Sequence, residues 1–281
     1  MNDIQMNERK LLVSKAISYV CEAPFLAIPT FLILNLLLDQ NNFLEIAIIC
    51  LFFGTIIPIL VLFTWSKFKK IDRDFTIKED RNRPLLMAVV IYLIGTFVLY
   101  FSSANPLIIS LMFLYATNTL IVFFINLKWK ISVHSMGIAG PTTVLMFINP
   151  WFFIVGLIGP LIMWSRLILK KHTIGQVLAG SFLGYILTAT QLYYITKLIH
   201  FNVNVDIFLI LLCIIGLTLP PLFLLLRSYL KDNVVSDRTR IIFYCIVCVS
   251  LLVFLSFSSF APIIALILSG MVSILVSHFL N

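Results

Sequence analysis

The sequence predicts an all-α fold: a polytopic transmembrane helical bundle of about ten spans. Three observations carry this. The chain is 61% hydrophobic and only 11% charged, with a mean hydropathy of +1.08, whereas a soluble domain carries about a quarter charged residues. Apolar runs recur from residue 16 to residue 280. The basic residues collect in alternate connections between those runs, as they do on one side of a membrane.

A span needs about 20 apolar residues. The runs read as Ala16–Leu38, Leu44–Thr64, Leu85–Ser103, Pro106–Asn126, Ser135–Ile148, Pro150–Trp164, Thr173–Leu198, Val205–Tyr229, Ile241–Ser258 and Ala261–Phe279. The fifth and sixth are short, and together would make one bent span. The turn signal Asn149-Pro150 between them favours a hairpin. Residues 1–281 read as one integral membrane domain, and the polar stretch Met1–Lys15 lacks a cleavage-site pattern.

Ten spans return both termini to one side. That side receives 19 of the 20 basic residues, and only Lys197 falls near the other. The positive-inside rule makes it cytoplasmic. It also accounts for the net charge of +8 without a nucleic-acid partner. All five cysteines lie in apolar runs, where thiols are inert. Gly180-x3-Gly184 has the small-residue spacing of close helix packing.

The chemistry concentrates in Ser165-Arg166-Leu167-Ile168-Leu169-Lys170-Lys171-His172-Thr173-Ile174-Gly175-Gln176. His172 and Gln176 are one helical turn apart and share a face. Arg166 offers a bidentate fork for phosphate oxygens. The helix that begins near Thr173 offers free N–H groups and a positive dipole end. A nucleophile, an orienting partner and an anion clamp are the parts of covalent catalysis. In Lys130-Ile131-Ser132-Val133-His134-Ser135-Met136-Gly137, Ser132 and His134 also precede a helix. If Ser135–Trp164 is a hairpin, both stretches meet on one face. Glu22, inside the first expected span, is a costly intramembrane carboxylate. His200 and His278 fall outside any grouping.

Ser165-Arg166-x5-His172-x3-Gln176 resembles the third signature of the type-2 phosphatidic-acid phosphatase superfamily, Ser-Arg-x5-His-x3-Asp. Ile131-Ser132-Val133-His134 resembles its second, Pro-Ser-Gly-His, and Lys78-x4-Arg83-Pro84 its first, Lys-x6-Arg-Pro. The likeness is concentrated in residues 128–190 and is that of a divergent prokaryotic member. It implies a phosphatase-like helical core over about 66–198, with additional spans over 205–279. It further implies metal-independent phosphoryl transfer with no cofactor. His172 would be the nucleophile and His134 the proton donor to the leaving oxygen. Gln176 would orient His172 where the family has an aspartate. Arg166, Ser132, Ser165, Arg83 and Lys78 would bind the substrate phosphate. With no soluble lobe to grip a large headgroup, the expected partner is an amphiphilic phosphate or diphosphate, isoprenoid in preference to phosphatidate, drawn from the membrane lipids.

Two other classes compete. A Mg²⁺-dependent intramembrane prenyltransferase would use Asp72, Asp74, Glu79 and Asp80 with Asp232 and Asp237, because hard cations favour carboxylate oxygens. A weakly active or inactive lipid-phosphate binding or transport protein would explain why an amide stands at Gln176.

Overall fold

In a computed structural model, the described residues are mostly helical, with no strand among them. These are residues 3–71, 75, 77–200, eight positions between 210 and 222, and 261–280. The expected span Val205–Tyr229 is described only at those eight positions, and Ile241–Ser258 lies outside the described residues.

The first expected span is divided. Helix α1 (Asp3–Val20) and helix α2 (Ala23–Leu38) meet at a 53° bend. The bend falls where Pro24 enters the first turn of α2, a position at which a missing N–H costs nothing. Glu22 is therefore the N-cap residue of α2 rather than a mid-helix group, and its side chain makes no capping bond. Helix α3 (Phe43–Leu51) continues through a π-helical turn, Phe52–Ile56, into α4 (Ile57–Lys69). From this turn Thr55 Oγ1 donates to the carbonyl of Pro24 at 2.9 Å, tying it to the start of α2.

A 3-10 turn, Glu79–Arg81, leads into α5 (Asn82–Phe101), followed by α6 (Pro106–Lys128) and α7 (Val133–Ile148). Another 3-10 turn, Pro150–Phe152, and a short α8 (Phe153–Gly156) lead into α9 (Ile158–Ile168). Then come α10 (Ile174–Leu198) and α11 (Ala261–Leu280). Asn149 interrupts the expected hairpin as anticipated, accepting from Trp151 N–H at 3.0 Å. Among the described residues, four stretches are long and apolar enough to cross a membrane: Phe43–Lys69, Glu79–Phe101, Pro106–Lys128 and Pro150–Ile168. The bent α1–α2 pair makes a fifth.

Helix α7, at 16 residues, is short for a span, but every residue from Ile138 to Phe147 is buried. It is the centre of the bundle, held by α10 on one side and α2 on another. Glycines set those approaches. A Cβ on Gly180 would lie 2.4 Å from the carbonyl oxygen of Ser132, and one on Gly137 would lie 2.6 Å from Ala23 Cβ. Helices α6 and α10 are joined by a paired polar cluster. Asn118 donates to Thr188 at 3.0 Å and accepts from Gln191 at 2.8 Å, and Thr117 donates to Gln191 at 2.6 Å.

Long-range bonds sort the connections into two ends. At one end, Asn105 N–H donates to Asp39 at 2.9 Å. At the other, Asn126 donates to the carbonyl of Lys78 at 2.7 Å, and Ser132 N–H donates to the carbonyl of Gln176 at 3.2 Å. The second end carries Lys67, Lys69, Lys70, Lys78, Arg81, Lys128, Lys130, Lys170 and Lys171.

Gly180→Val should destabilise the protein by about 1–3 kcal/mol, the cost of overpacking a tight contact. Gly159→Ala should not, since its Cβ would meet nothing nearer than Ile138 at 3.8 Å. Thermal melting of the two variants in detergent checks this.

Candidate functional site

The basic end gathers two loops that are more than 30 residues apart in sequence. Between them, α7 to α9 run inward and back, so the chain returns to where it left. Ser132 N–H donates to the backbone carbonyl of Gln176, and Lys130 Nζ donates to the carbonyl of Lys171 at 3.1 Å. Ser132 is fully buried and caps α7, its Oγ lying 3.0 Å from Ser135 Oγ. On the other loop, α9 ends with Lys170 in the left-handed region (φ 52°), and Lys171 N–H bonds the carbonyl of Arg166 at 3.1 Å. This closes the last turn of α9 and delivers His172 to the start of α10.

His172 is 7% exposed. Its Nδ1 lies 3.0 Å from Gln176 Oε1. The same oxygen accepts from Thr173 N–H at 3.2 Å, and Gln176 N–H lies 3.4 Å from Thr173 Oγ1, a reciprocal capping box. A backbone N–H can only donate, so the atom facing His172 is the carboxamide oxygen. An oxygen acceptor requires Nδ1 to carry the proton, which leaves Nε2 with its lone pair. That Nε2 is buried and has no hydrogen-bond partner among the described residues. Burial, then Arg81, then Arg166, push the His172 pKa down to about 3; Lys130 adds to this and the Gln176 bond opposes it. His172 is thus a neutral imidazole at physiological pH. The helix start expected to seat phosphate is partly occupied, because the capping box uses the N–H groups of Thr173 and Gln176.

Arg166 is completely buried, and its Nη1 donates to Ser18 Oγ on α1. Arg81 is 8% exposed and is held by the carbonyls of Phe75 at 3.0 Å and Ile131 at 3.3 Å. Arg81 and Ser18 are the contributors that sequence reasoning missed. Arg81 had a signal in its basic loop, but the Arg83-Pro84 pair drew attention two residues further on. Ser18 had none.

Other expected site residues are placed elsewhere. Arg83 is exposed, its guanidinium 5.6 Å from the Trp65 ring centroid. Lys78 Nζ donates to the carbonyl of Leu127 at 2.9 Å and pairs with Glu79 at 3.6 Å, so it closes the C-terminus of α6. Ser165 Oγ donates to the carbonyl of Ile162 within α9. His134, on the first turn of α7, lines a cavity of about 170 Å³. Glu22 and Arg81 line that cavity too, and Arg81 also acts electrostatically on His172. Asp72, Asp74, Asp232 and Asp237, which a prenyltransferase would need, lie outside the described residues.

No family model, curated protein or solved structure matches the chain.

Because its folded pKa lies below the ordinary 6.5, His172 should stay neutral as pH falls through 6.5 and take a proton only near pH 3. Nitrogen NMR of the labelled ring should show the Nδ1–H tautomer and no titration between pH 5 and 8. Arg81→Gln should move the midpoint upward. A His172 ring that titrates near 6.5 in the native protein contradicts the described site.

Proposed function

We propose that the protein is an integral membrane phosphatase for an amphiphilic phosphate or diphosphate, isoprenoid in preference to phosphatidate. The observation that carries this reading is the bare, buried Nε2 of His172 among Arg81, Lys130 and Arg166. A neutral lone pair in a cationic environment suits attack on an anionic phosphorus centre. The resemblance of residues 128–190 to the type-2 phosphatidic-acid phosphatases points the same way.

In this mechanism Nε2 forms a bond to phosphorus as the bond to the leaving oxygen breaks. His134 gives the leaving oxygen its proton. Water then attacks the phosphohistidine, His134 takes back a proton, phosphate departs and the Nε2 lone pair returns. Arg166 and Arg81 hold the phosphoryl oxygens as charge develops. The Gln176 carbonyl steadies Nδ1–H through its dipole, without the charge of the family aspartate. The site and both termini lie on the cytoplasmic side of a prokaryotic cell membrane, with ten spans and a phosphatase-like core over 66–198. The concentration of basic residues at one end supports that orientation.

One observation favours a second reading. An amide at Gln176 lowers the stabilisation of a positively charged histidine, which suits a protein that binds lipid phosphate and turns it over slowly. In a phosphate-release assay with farnesyl diphosphate and phosphatidate, wild type should act in the presence of chelator. His172→Ala should lose roughly 10³-fold or more of that activity. Gln176→Asp should accelerate release. Binding without release in wild type, restored by Gln176→Asp, selects the slow or inactive binder. Strict Mg²⁺ dependence that survives His172→Ala overturns both.

A further inference from the structure

Resting on that reading, we infer that the cavity between α2, α4, α5, α6 and α7 takes the hydrocarbon chain of a single-chain amphiphile whose phosphate sits at Arg81. The lining is mainly apolar, and the acidic, basic and imidazole groups stand at one end only. Glu22, Arg81 and His134 line it near the basic end of the bundle. From there it runs inward along α5 from Pro84 past Ala88 to Tyr92, and along α6 from Val122 to Tyr115. At about 1.5 Å of rise per residue, that is a depth of roughly 10–12 Å.

Its deeper wall carries no acidic or basic side chain, although the buried Tyr115 hydroxyl there has no hydrogen-bond partner among the described residues. Asn118 is already paired with Thr188 and Gln191. Tyr92 and Tyr115 present rings whose centroids are 5.5 Å apart. An apolar cavity of about 150 Å³ stays dry and accepts a benzene-sized ligand, and this one is of similar size, about 170 Å³. It therefore has room for one chain segment and not two. Its depth is also less than the roughly 15 Å of one hydrocarbon leaflet. Arg81 couples the two parts, since it lines the cavity and stands near enough to His172 to depress its pKa. A phosphate bound there would place its first carbons at Val133 and the remainder between α5 and α6. A two-chain phosphatidate would have to leave its second chain outside the cavity.

The test reads binding, so it is independent of turnover. The purified full chain in detergent is photolabelled with octyl phosphate carrying a terminal diazirine, and the adducts are mapped. The expected adducts lie at Tyr92, Tyr115 or Thr119, and they are competed by octyl phosphate but not by inorganic phosphate. Ala88→Phe, which fills the cavity at mid-depth, should weaken octyl phosphate binding at least tenfold and spare butyl phosphate. Val90→Phe, on the outward face of α5, should leave binding within twofold. Adducts confined to outward-facing Val90, Phe97 or Phe124 overturn the inference, whether or not Ala88→Phe folds. So does a loss of binding in Val90→Phe equal to that in Ala88→Phe. Deep labelling without phosphate release keeps the chain site and removes the hydrolase; release with surface labelling does the reverse.

Discussion

Gln176 makes three contacts that start a helix, hold a histidine and join two distant loops. Its side-chain oxygen accepts from Thr173 N–H and lies against His172 Nδ1, while its backbone carbonyl accepts from Ser132 N–H. The first contact starts α10. The second fixes the tautomer of His172. The third docks the start of α7 onto α10, with Gly180 leaving space for the Ser132 carbonyl. A carboxylate at this position could hold the same ring with more charge. The amide holds it with geometry alone, in a pocket whose basic residues already favour a neutral imidazole.

The surrounding bundle explains how a polar site survives in so apolar a chain. The buried Arg81 and Arg166 and the half-buried Lys130 are each tied to the backbone or to a hydroxyl: Arg81 to Phe75 and Ile131, Lys130 to Lys171, and Arg166 to Ser18. These bonds fix the cations at the mouth of α10. Buried charges left without such partners would be costly. The same bonds make the site depend on long-range packing, since they draw on α1, the 75–82 loop and the α6–α7 loop together.

Much of this was legible in the sequence. The apolar runs give the helices, and the i, i+4 spacing of His172 and Gln176 gives their contact. The Asn149-Pro150 signal gives the return of the chain that brings Ser132 to Gln176. What was not legible depends on tertiary commitments. Residues two apart on a helical turn point to different sides, so Arg81 is buried beside the site while Arg83 lies on Trp65. Lys78 is drawn to carbonyls at the end of α6 that exist as acceptors only once that helix has formed. The run Ala16–Leu38 reads as one span, and its 53° bend before Pro24 shows only in the folded chain. Ser18 meets Arg166 from α1, nearly 150 residues away in sequence.

The most direct measurement is chemical trapping of the phosphorylated protein. After rapid mixing with a radiolabelled amphiphilic phosphate and alkaline quench, the account predicts an acid-labile phosphohistidine at His172, bonded through Nε2, the nitrogen left bare by Gln176. Phosphate on Nδ1, on His134, or on no residue while product accumulates would contradict it.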